Sequence, residues 1–305
     1  KMSLAVETDP RCSPAIKKLV CFLYRFPLPA TKIMSFKKCL SNELGYEDTL
    51  KAIEHMDQAR EDIAIELAAG NPNYTNIIAG TQRYIPLITQ ILYSFEKSPP
   101  VSLSVSLMFD WTTGIGINPR LNFIRSPVVI WDKCMSIVSQ GLAHANAFHS
   151  MVRVVEGNAD TLFMNAASEL KKAAGTFLHA ANVELPKWIV ETTQKEVFPE
   201  TSSSVCEGLA TFCLAEAQQM AIAKALTKDK ATPNSLLAKL CVGVAKLMDT
   251  SDTIFRNKGQ KDYSKIGMPF LAHISLQSSL HRAMADSFLA ADAWIKSQYG
   301  LAIAH

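Results

Sequence analysis

Five long segments patterned for α-helix fill the chain from Pro127 onward, and this feature constrains the fold most. Each is about 20–30 residues long, and short polar stretches separate it from the next. Long helices with short connections pack as antiparallel neighbours, and a run of such pairs builds a solenoid. We therefore expect a mainly helical array, although no strict repeat recurs at a fixed period. The predicted segments are 127–155, 159–182, 205–226, 234–256 and 266–298.

Two further helical segments are predicted before this region, at residues 41–69 and 76–95. In the first, apolar residues recur at helical spacing among acidic ones, and the Gly-Asn-Pro-Asn sequence at 70–73 ends it. Pro86 is expected to weaken the second, because proline inside a helix removes a backbone hydrogen bond.

A change of pattern predicts a small sheet at residues 101–125. From Val101 to Leu107 apolar residues alternate strictly with serine, which is typical of a strand with one buried face. Phe109-Asp110-Trp111 is expected to close this strand, and a glycine-containing turn follows it. Residues 121–124 are predicted to form a second short strand.

The composition supports long helices and excludes several classes of protein. Only 13 glycines and 14 prolines occur in 305 residues, so few turns are expected. A hydrophobic content of 48% excludes intrinsic disorder as the main state, and a net charge of +3 argues against nucleic-acid binding. No apolar run approaches the roughly 18–20 residues that a membrane-spanning helix needs. The 7 cysteines are scattered and lack a CxxC pair, which favours a reducing compartment with free thiols.

Two patterns that could bind a nucleotide or a metal are incomplete. Gly114-x-Gly116 follows the predicted strand but lacks the third glycine and the helix of a dinucleotide-binding fingerprint, so it predicts a turn. His144 and His149 are five residues apart on one predicted helix. They therefore lie on different faces and cannot share a metal in the usual i, i+4 manner.

An aspartate pair is the third candidate for chemistry. Asp249 and Asp252 are similar to the aspartate-rich magnesium site of all-helical prenyl-transfer enzymes, but adjacent paired aspartates and a second cluster are missing. A structural role is expected for both. No phosphate-binding loop and no nucleophile elbow occur in the sequence. We expect no metal, no cofactor and no small-molecule substrate.

The basic residues are spread along the chain, so solvated surfaces explain most of them. They leave open a peripheral contact with an anionic membrane, which would need the charges to cluster in the fold. They include Lys17, Lys18, Lys37, Lys38, Lys171, Lys172, Lys224, Lys228, Lys230, Lys258 and Lys261.

The segment 236–248 carries two apolar lines when it is placed on a helical wheel. One line alone would bury the helix on a neighbour. Two lines indicate either burial on two sides or a face that lines a groove, and periodicity does not decide between them. The first line contains Leu237, Cys241, Val244 and Met248, and the second contains Leu236, Leu240, Gly243 and Leu247.

Several segments resemble the Bro-one domain of endosomal-sorting adaptors of the Alix and Brox type. Lys171-Lys-Ala-Ala-Gly175-Thr-Phe177-Leu-His179 and Leu214-Ala-Glu216-Ala-Gln218-Gln219-Met220 resemble two helices of the family in order and spacing. Phe109-Asp110-Trp111 is similar to its Phe-x-Trp, and residues 235–240 fit the following helix. The resemblance runs from about residue 105 to 250 and is strongest to the single-domain Brox-like branch.

The resemblance implies a boomerang-shaped helical solenoid with a tetratricopeptide-like core and a small N-terminal β-sheet. It implies an adaptor and not an enzyme. The concave groove of such a domain binds the C-terminal amphipathic helix of an ESCRT-III subunit of the charged multivesicular body protein 4 class. The implied role is in multivesicular body sorting and membrane remodelling, in the cytoplasm with recruitment to endosomes.

The groove residues of the family fall on particular positions of this sequence. Its two aliphatic anchors fall on Leu236 and Leu240, which belong to the second line, and Leu247 extends that line. An acidic groove residue falls on Asp160. The third anchor, an aromatic residue in Alix, falls on Ala221, a departure that bears on affinity and partner choice.

We expect one Bro-one-like domain over residues 1–305, with a helical part at 1–100, the sheet at 101–125 and a helical array at 126–305. The family's domain continues past the equivalent of His305, so its C-terminal part is expected to be missing. One alternative keeps the fold and gives the groove a different helical, membrane or cytoskeletal partner. Another is an all-helical enzyme that uses the aspartate pair.

Overall fold

The computed structural model describes residues 10, 13–40, 47–97, 107–154, 159–188, 197–227 and 232–305. Helices dominate the described chain, and the prediction of a mainly α protein with a small sheet is confirmed. The helices are α1 (Pro14–Val20), α2 (Phe36–Leu40), α3 (Glu47–Ala68), α4 (Tyr74–Lys97), α5 (Val129–Val154), α6 (Ala159–His179), α7 (Ser203–Thr227), α8 (Asn234–Thr253), α9 (Gln260–Tyr263), α10 (Met268–Ile295) and α11 (Tyr299–Ala304).

The long helices pack in chain order, each against the next, from α3 through α8, and α10 packs against α8. A single hydrophobic core runs through the array, from Val20 near its N-terminal side to Phe288 in α10. The predicted long segments all appear as helices, with ends displaced by a few residues. Two of them continue into wider π-type turns, at Ala180–Glu184 after α6 and at Ile254–Lys258 after α8.

Pro86 does not interrupt α4, which runs continuously for 24 residues. Pro86 and Gln82 are both exposed. The carbonyl of residue 82, which loses its N–H partner to the proline, therefore lies on the side where water can satisfy it. The expected weakening has no visible effect on the bounds of this helix.

The sheet contains β1 (Phe109–Trp111) and β2 (Ile124–Ser126), paired antiparallel with Phe109 opposite Ser126. Phe109-Asp110-Trp111, which were expected to close a strand, are themselves β1. The serine alternation at 101–106 lies outside the described residues. The second strand begins at the last residue of the predicted one, and Leu121 is 73% exposed in the preceding turn.

A buried carboxylate joins β1 to three helices. Both oxygens of Asp132 in α5 accept hydrogen bonds: Oδ1 from Arg60 Nη2 at 3.0 Å and from Trp111 Nε1 at 2.6 Å, and Oδ2 from Tyr84 Oη at 2.6 Å. Arg60 of α3 also donates to the Lys32 carbonyl. The Asp132 cluster, meaning these hydrogen-bonded residues, fixes the sheet on the helical body.

The end of α1 and the chain that follows it, residues 20–26, are held through their backbone by buried side chains. These side chains come from α5, α7 and α10, so the segment fastens three helices together. The hydrogen bonds join Gln219 Nε2 to the Val20 carbonyl (2.8 Å), Gln277 Nε2 to the Phe22 carbonyl (2.7 Å), Glu216 Oε1 to the Tyr24 N–H (2.7 Å), and the Asn146 amide to the N–H and carbonyl of Phe26 (2.8 Å each).

Two glycines in the helices differ in what surrounds them, which gives a matched test. A Cβ at Gly208 of α7 would lie 2.7 Å from Cζ of Phe255, whereas a Cβ at Gly175 of α6 would meet nothing within 4 Å. We expect Gly208→Ala to destabilise the protein by about 1–3 kcal/mol. Gly175→Ala should stabilise it by up to about 1 kcal/mol, because alanine favours helix. Urea unfolding of both variants measures this, and similar losses in both would contradict it.

Candidate functional site

The two apolar lines of α8 have different surroundings. All four residues of the first line are fully buried in the core. In the second line Leu236 is 47% exposed, and Leu240, Gly243 and Leu247 are partly buried. Leu240 and Leu247 pack against the edge of the core and open to solvent on their other side. This distribution favours the groove-lining interpretation over burial of the helix on two sides.

A second solvent-facing line runs along α7. Leu214 is 39% exposed, Gln218 is partly exposed and Ala221 is exposed, at the spacing of one helix face. The neighbouring Glu216 and Gln219 point the other way, into the core, where they hold the backbone of residues 20–26. Glu216 and Gln219 therefore lie on the inner face of α7, and Gln218 lies on its outer face.

The outer faces of α7 and α8 meet at Gln218. Its Nε2 donates a 2.8 Å hydrogen bond to the Leu240 carbonyl. A Cβ at Gly243 would overlap the Gln218 amide, so the glycine leaves the space through which this side chain reaches across. We call the surface formed by these two lines the α7–α8 groove. Its members are Leu214, Gln218 and Ala221 of α7 and Leu236, Leu240, Gly243 and Leu247 of α8.

Four of the five predicted site residues belong to this surface: Leu236, Leu240, Leu247 and Ala221. Asp160 lies in the first turn of α6, and its side chain is outside the described part of the structure. Leu214 and Gln218 were not predicted. Their spacing to Ala221 is helical, and this is the signal that could have identified them.

The groove has a basic border. Lys239 and Lys246 are exposed on α8, and Lys224 is partly exposed on α7. Half-exposed leucines at helical spacing, bordered by cations, suit an amphipathic helix that brings an apolar face and acidic edges.

Burial raises the pKa of the Glu216 carboxyl beneath the groove. The His273 imidazole and the Tyr24 N–H lower it and partly offset the desolvation.

The Gly114-x-Gly116 pattern forms a turn, as predicted. The N–H of Gly114 and the hydroxyl of Thr113 donate to the buried Glu200 carboxylate, at 2.6 Å and 2.8 Å. Burial raises the pKa of Glu200, and these hydrogen bonds partly offset that shift. A protein carboxylate thus occupies the donors that a phosphate would need.

The two histidines have separate partners. Nδ1 of His144 lies 2.6 Å from Oε2 of Glu169, whereas Nε2 of His149 lies 3.4 Å from the carbonyl of Tyr24. Within the described residues, no cluster of three histidine, cysteine or carboxylate side chains is arranged to hold a metal.

The aspartate pair is engaged in structural contacts. Asp249 pairs with Arg282 and accepts a hydrogen bond from Ser278, both on α10. Asp252 accepts from Arg256 at 2.7 Å, four residues along the chain. Each carboxylate has its own arginine, and these contacts match the structural role that the sequence analysis assigned to both.

None of the helices in the described residues is long and apolar enough to cross a membrane.

Comparisons with known proteins agree on one fold. The family described as BRO1-like domain matches residues 32–305. A complex of the ALIX BRO1 domain with CHMP4C is 18% identical, with a TM-score of 0.69, and the match covers 92% of this chain and 76% of that one. ALIX in complex with the SIVmac239 PYKEVTEDL late domain is also 18% identical, with a TM-score of 0.69 over 93% and 39%.

A third structure, described as the basis for endosomal targeting by the Bro1 domain, is 16% identical, with a TM-score of 0.69 over 93% of this chain and 74% of that one. At these identities the likeness concerns the fold. None of the curated proteins compared with the chain matches it.

Proposed function

Because the chain belongs to the BRO1-like domain family, we propose that it is an adaptor of the endosomal sorting machinery and not an enzyme. Its α7–α8 groove binds the C-terminal amphipathic helix of an ESCRT-III subunit of the CHMP4 class. The adaptor acts in multivesicular body sorting and membrane remodelling, in the cytoplasm with recruitment to endosomes. Within the family we place it with the single-domain Brox-like branch.

The observation that carries this proposal is the solvent-facing line of Leu236, Leu240 and Leu247 beside the exposed face of α7. Apolar side chains at this spacing line a hydrophobic groove into which the apolar face of a partner helix can bind. The ALIX BRO1 domain, which shares the fold, forms a complex with CHMP4C. Asp160 supplies an acidic contact from α6 in this proposal.

One observation favours a second candidate partner. Ala221 is exposed where the family resemblance implies an aromatic anchor, so the groove offers less apolar surface there. A different helical or cytoskeletal protein with a bulkier side chain at that point would fill the space better. The basic border at Lys224, Lys239 and Lys246 would in addition support contact with an anionic membrane.

Binding of a labelled C-terminal CHMP4C helix, followed by fluorescence anisotropy, tests the proposal. We expect Ala221→Phe to strengthen binding at least about tenfold, because burial of an aromatic side chain contributes roughly 1.5–3 kcal/mol. The exposed position should accept the ring without loss of stability. Ala52→Phe, at an exposed position of α3 outside the groove, is the control and should leave the affinity unchanged. No binding by the wild type, or equal effects of both variants, would contradict the proposal.

A further inference from the structure

A second depression, separate from the α7–α8 groove, runs along α5 between α4 and α6. It encloses a cavity of about 650 Å³. Its floor follows α5 from Ile137 to Met151, a length of about 21 Å at the helical rise per residue. That length accommodates about four turns of a further helix. We call this depression the α5 trough.

The α4 wall of the trough is apolar apart from the hydroxyl of Thr75 and the amide of Gln82. Ile78 and Ile85 are half-buried, seven residues apart on one face of the helix, and Gln82 lies between them. No acidic residue lines this wall or the floor. A partner helix that carries apolar side chains along one face can therefore contact both isoleucines.

The α6 wall is polar, and its carboxylate is already engaged. Glu169 accepts hydrogen bonds from His144 at 2.6 Å and from Lys172 at 2.7 Å. Burial alone would raise the pKa of Glu169, but the hydrogen bonds from Lys172 and His144 outweigh it and lower the pKa. Glu169 is therefore ionised, and each of its oxygens has a partner.

Hydrogen-bonding capacity toward the cavity remains on the basic side chains. The His144 side chain is only 6% exposed and lines the cavity. Lys172 is 56% exposed and has two further N–H donors. His179 also lines the trough, and its Nε2 lies 3.3 Å from Glu184, a carboxylate that Lys133 already pairs with. This wall complements an acidic group.

The trough also lacks a side chain at one point of its rim. Gly175 lies in the interior of α6, and a Cβ there would meet nothing within 4 Å. The bare backbone leaves room for a partner to approach α6 closely. Glycine is unfavourable inside a helix, and among the residues that the structure describes no contact requires it at 175.

We propose that the α5 trough docks an amphipathic helix of a partner protein, with an apolar edge against α4 and a carboxylate on the edge that faces α6. The carboxylate pairs with the Lys172 ammonium, which has N–H donors beyond the one that Glu169 accepts. The two isoleucines receive the apolar side chains. This site is distinct from the α7–α8 groove and can be occupied at the same time.

Two labelled helical peptides of about 16 residues test the proposal. Both carry leucines at i, i+4, i+7 and i+11, and they differ in having glutamate or glutamine along one edge of the leucine face. By fluorescence anisotropy we expect the glutamate peptide to bind the wild type about tenfold more tightly than the glutamine peptide. This preference should disappear in Lys172→Met. Gly175→Leu, whose side chain projects into open space and keeps the fold, should weaken the glutamate peptide at least about tenfold.

Leu240→Asp separates the two sites. Its α7–α8 groove is altered and its trough is intact, so the glutamate peptide should bind it as it binds the wild type. Loss of the peptide in Leu240→Asp with retention in Gly175→Leu would place it in the α7–α8 groove and overturn the proposal. Equal binding of both peptides would overturn the charge argument. A wild type that dimerises, with Gly175→Leu monomeric, would identify a second copy of this chain as the occupant and also overturn the proposal.

Discussion

Leu240→Asp should weaken binding of a CHMP4-class helix to the α7–α8 groove by about a thousandfold and leave the protein folded. Burying a leucine in the complex contributes roughly 1.5–3 kcal/mol. An unpaired carboxylate in the same slot costs at least about 2 kcal/mol more. Together these losses reach about 4 kcal/mol, which corresponds to the stated change in affinity. Leu240 is only partly buried in the free protein, so the carboxylate of an aspartate at this position can still reach water there.

The neighbouring Leu237 provides the matched control. It belongs to the buried line of α8 and is 0% exposed, so Leu237→Asp should unfold the protein or lower its melting temperature strongly. Thermal melting by circular dichroism and helix binding by anisotropy are measured on both variants. A collapsed melt for Leu240→Asp would show that Leu240 belongs to the core. An unchanged melt with unchanged binding would show that the anchor is elsewhere.

The sequence predicts most of this fold because the signals for long helices are local. Apolar periodicity places α5 to α8 and α10 within a few residues of their observed bounds, and the two lines of α8 separate into a buried and a half-exposed set. The solvent exposure of the second line depends on where α7 and α10 pack against α8. The sequence of α8 alone does not determine that packing. Periodicity therefore left both burial and a groove open.

The sheet was located less well because its strands depend on distant contacts. Trp111 is held in β1 by Asp132, and its backbone forms an isolated bridge with Thr31. Three residues per strand give too short a pattern for alternation to be recognised. Gln218 was missed for a similar reason, because its role depends on the Leu240 carbonyl of another helix.

The Asp132 cluster illustrates long-range pairing that no local pattern reveals. Its members come from α3, α4, β1 and α5, and they meet only in the folded chain. Burial and the nearby Asp132 carboxylate raise the pKa of the Tyr84 hydroxyl, so it stays protonated and donates to that carboxylate. The guanidinium of Arg60 is 1% exposed and its ion-pair partner is 0% exposed. Removal of the carboxylate therefore leaves a buried positive charge without compensation.

Asp132→Ala should accordingly destabilise the protein by about 3–5 kcal/mol, because breaking one side of a buried ion pair leaves the other charge desolvated. Trp111 Nε1 and Tyr84 Oη would also lose their acceptor. The control is Asp62→Ala, which removes a 3.0 Å pair with the mostly exposed Arg83 and should cost less than about 1 kcal/mol. Urea unfolding by circular dichroism compares the two midpoints. A loss for Asp132→Ala no larger than for the control would mean that the cluster contributes little to holding the sheet on the helices.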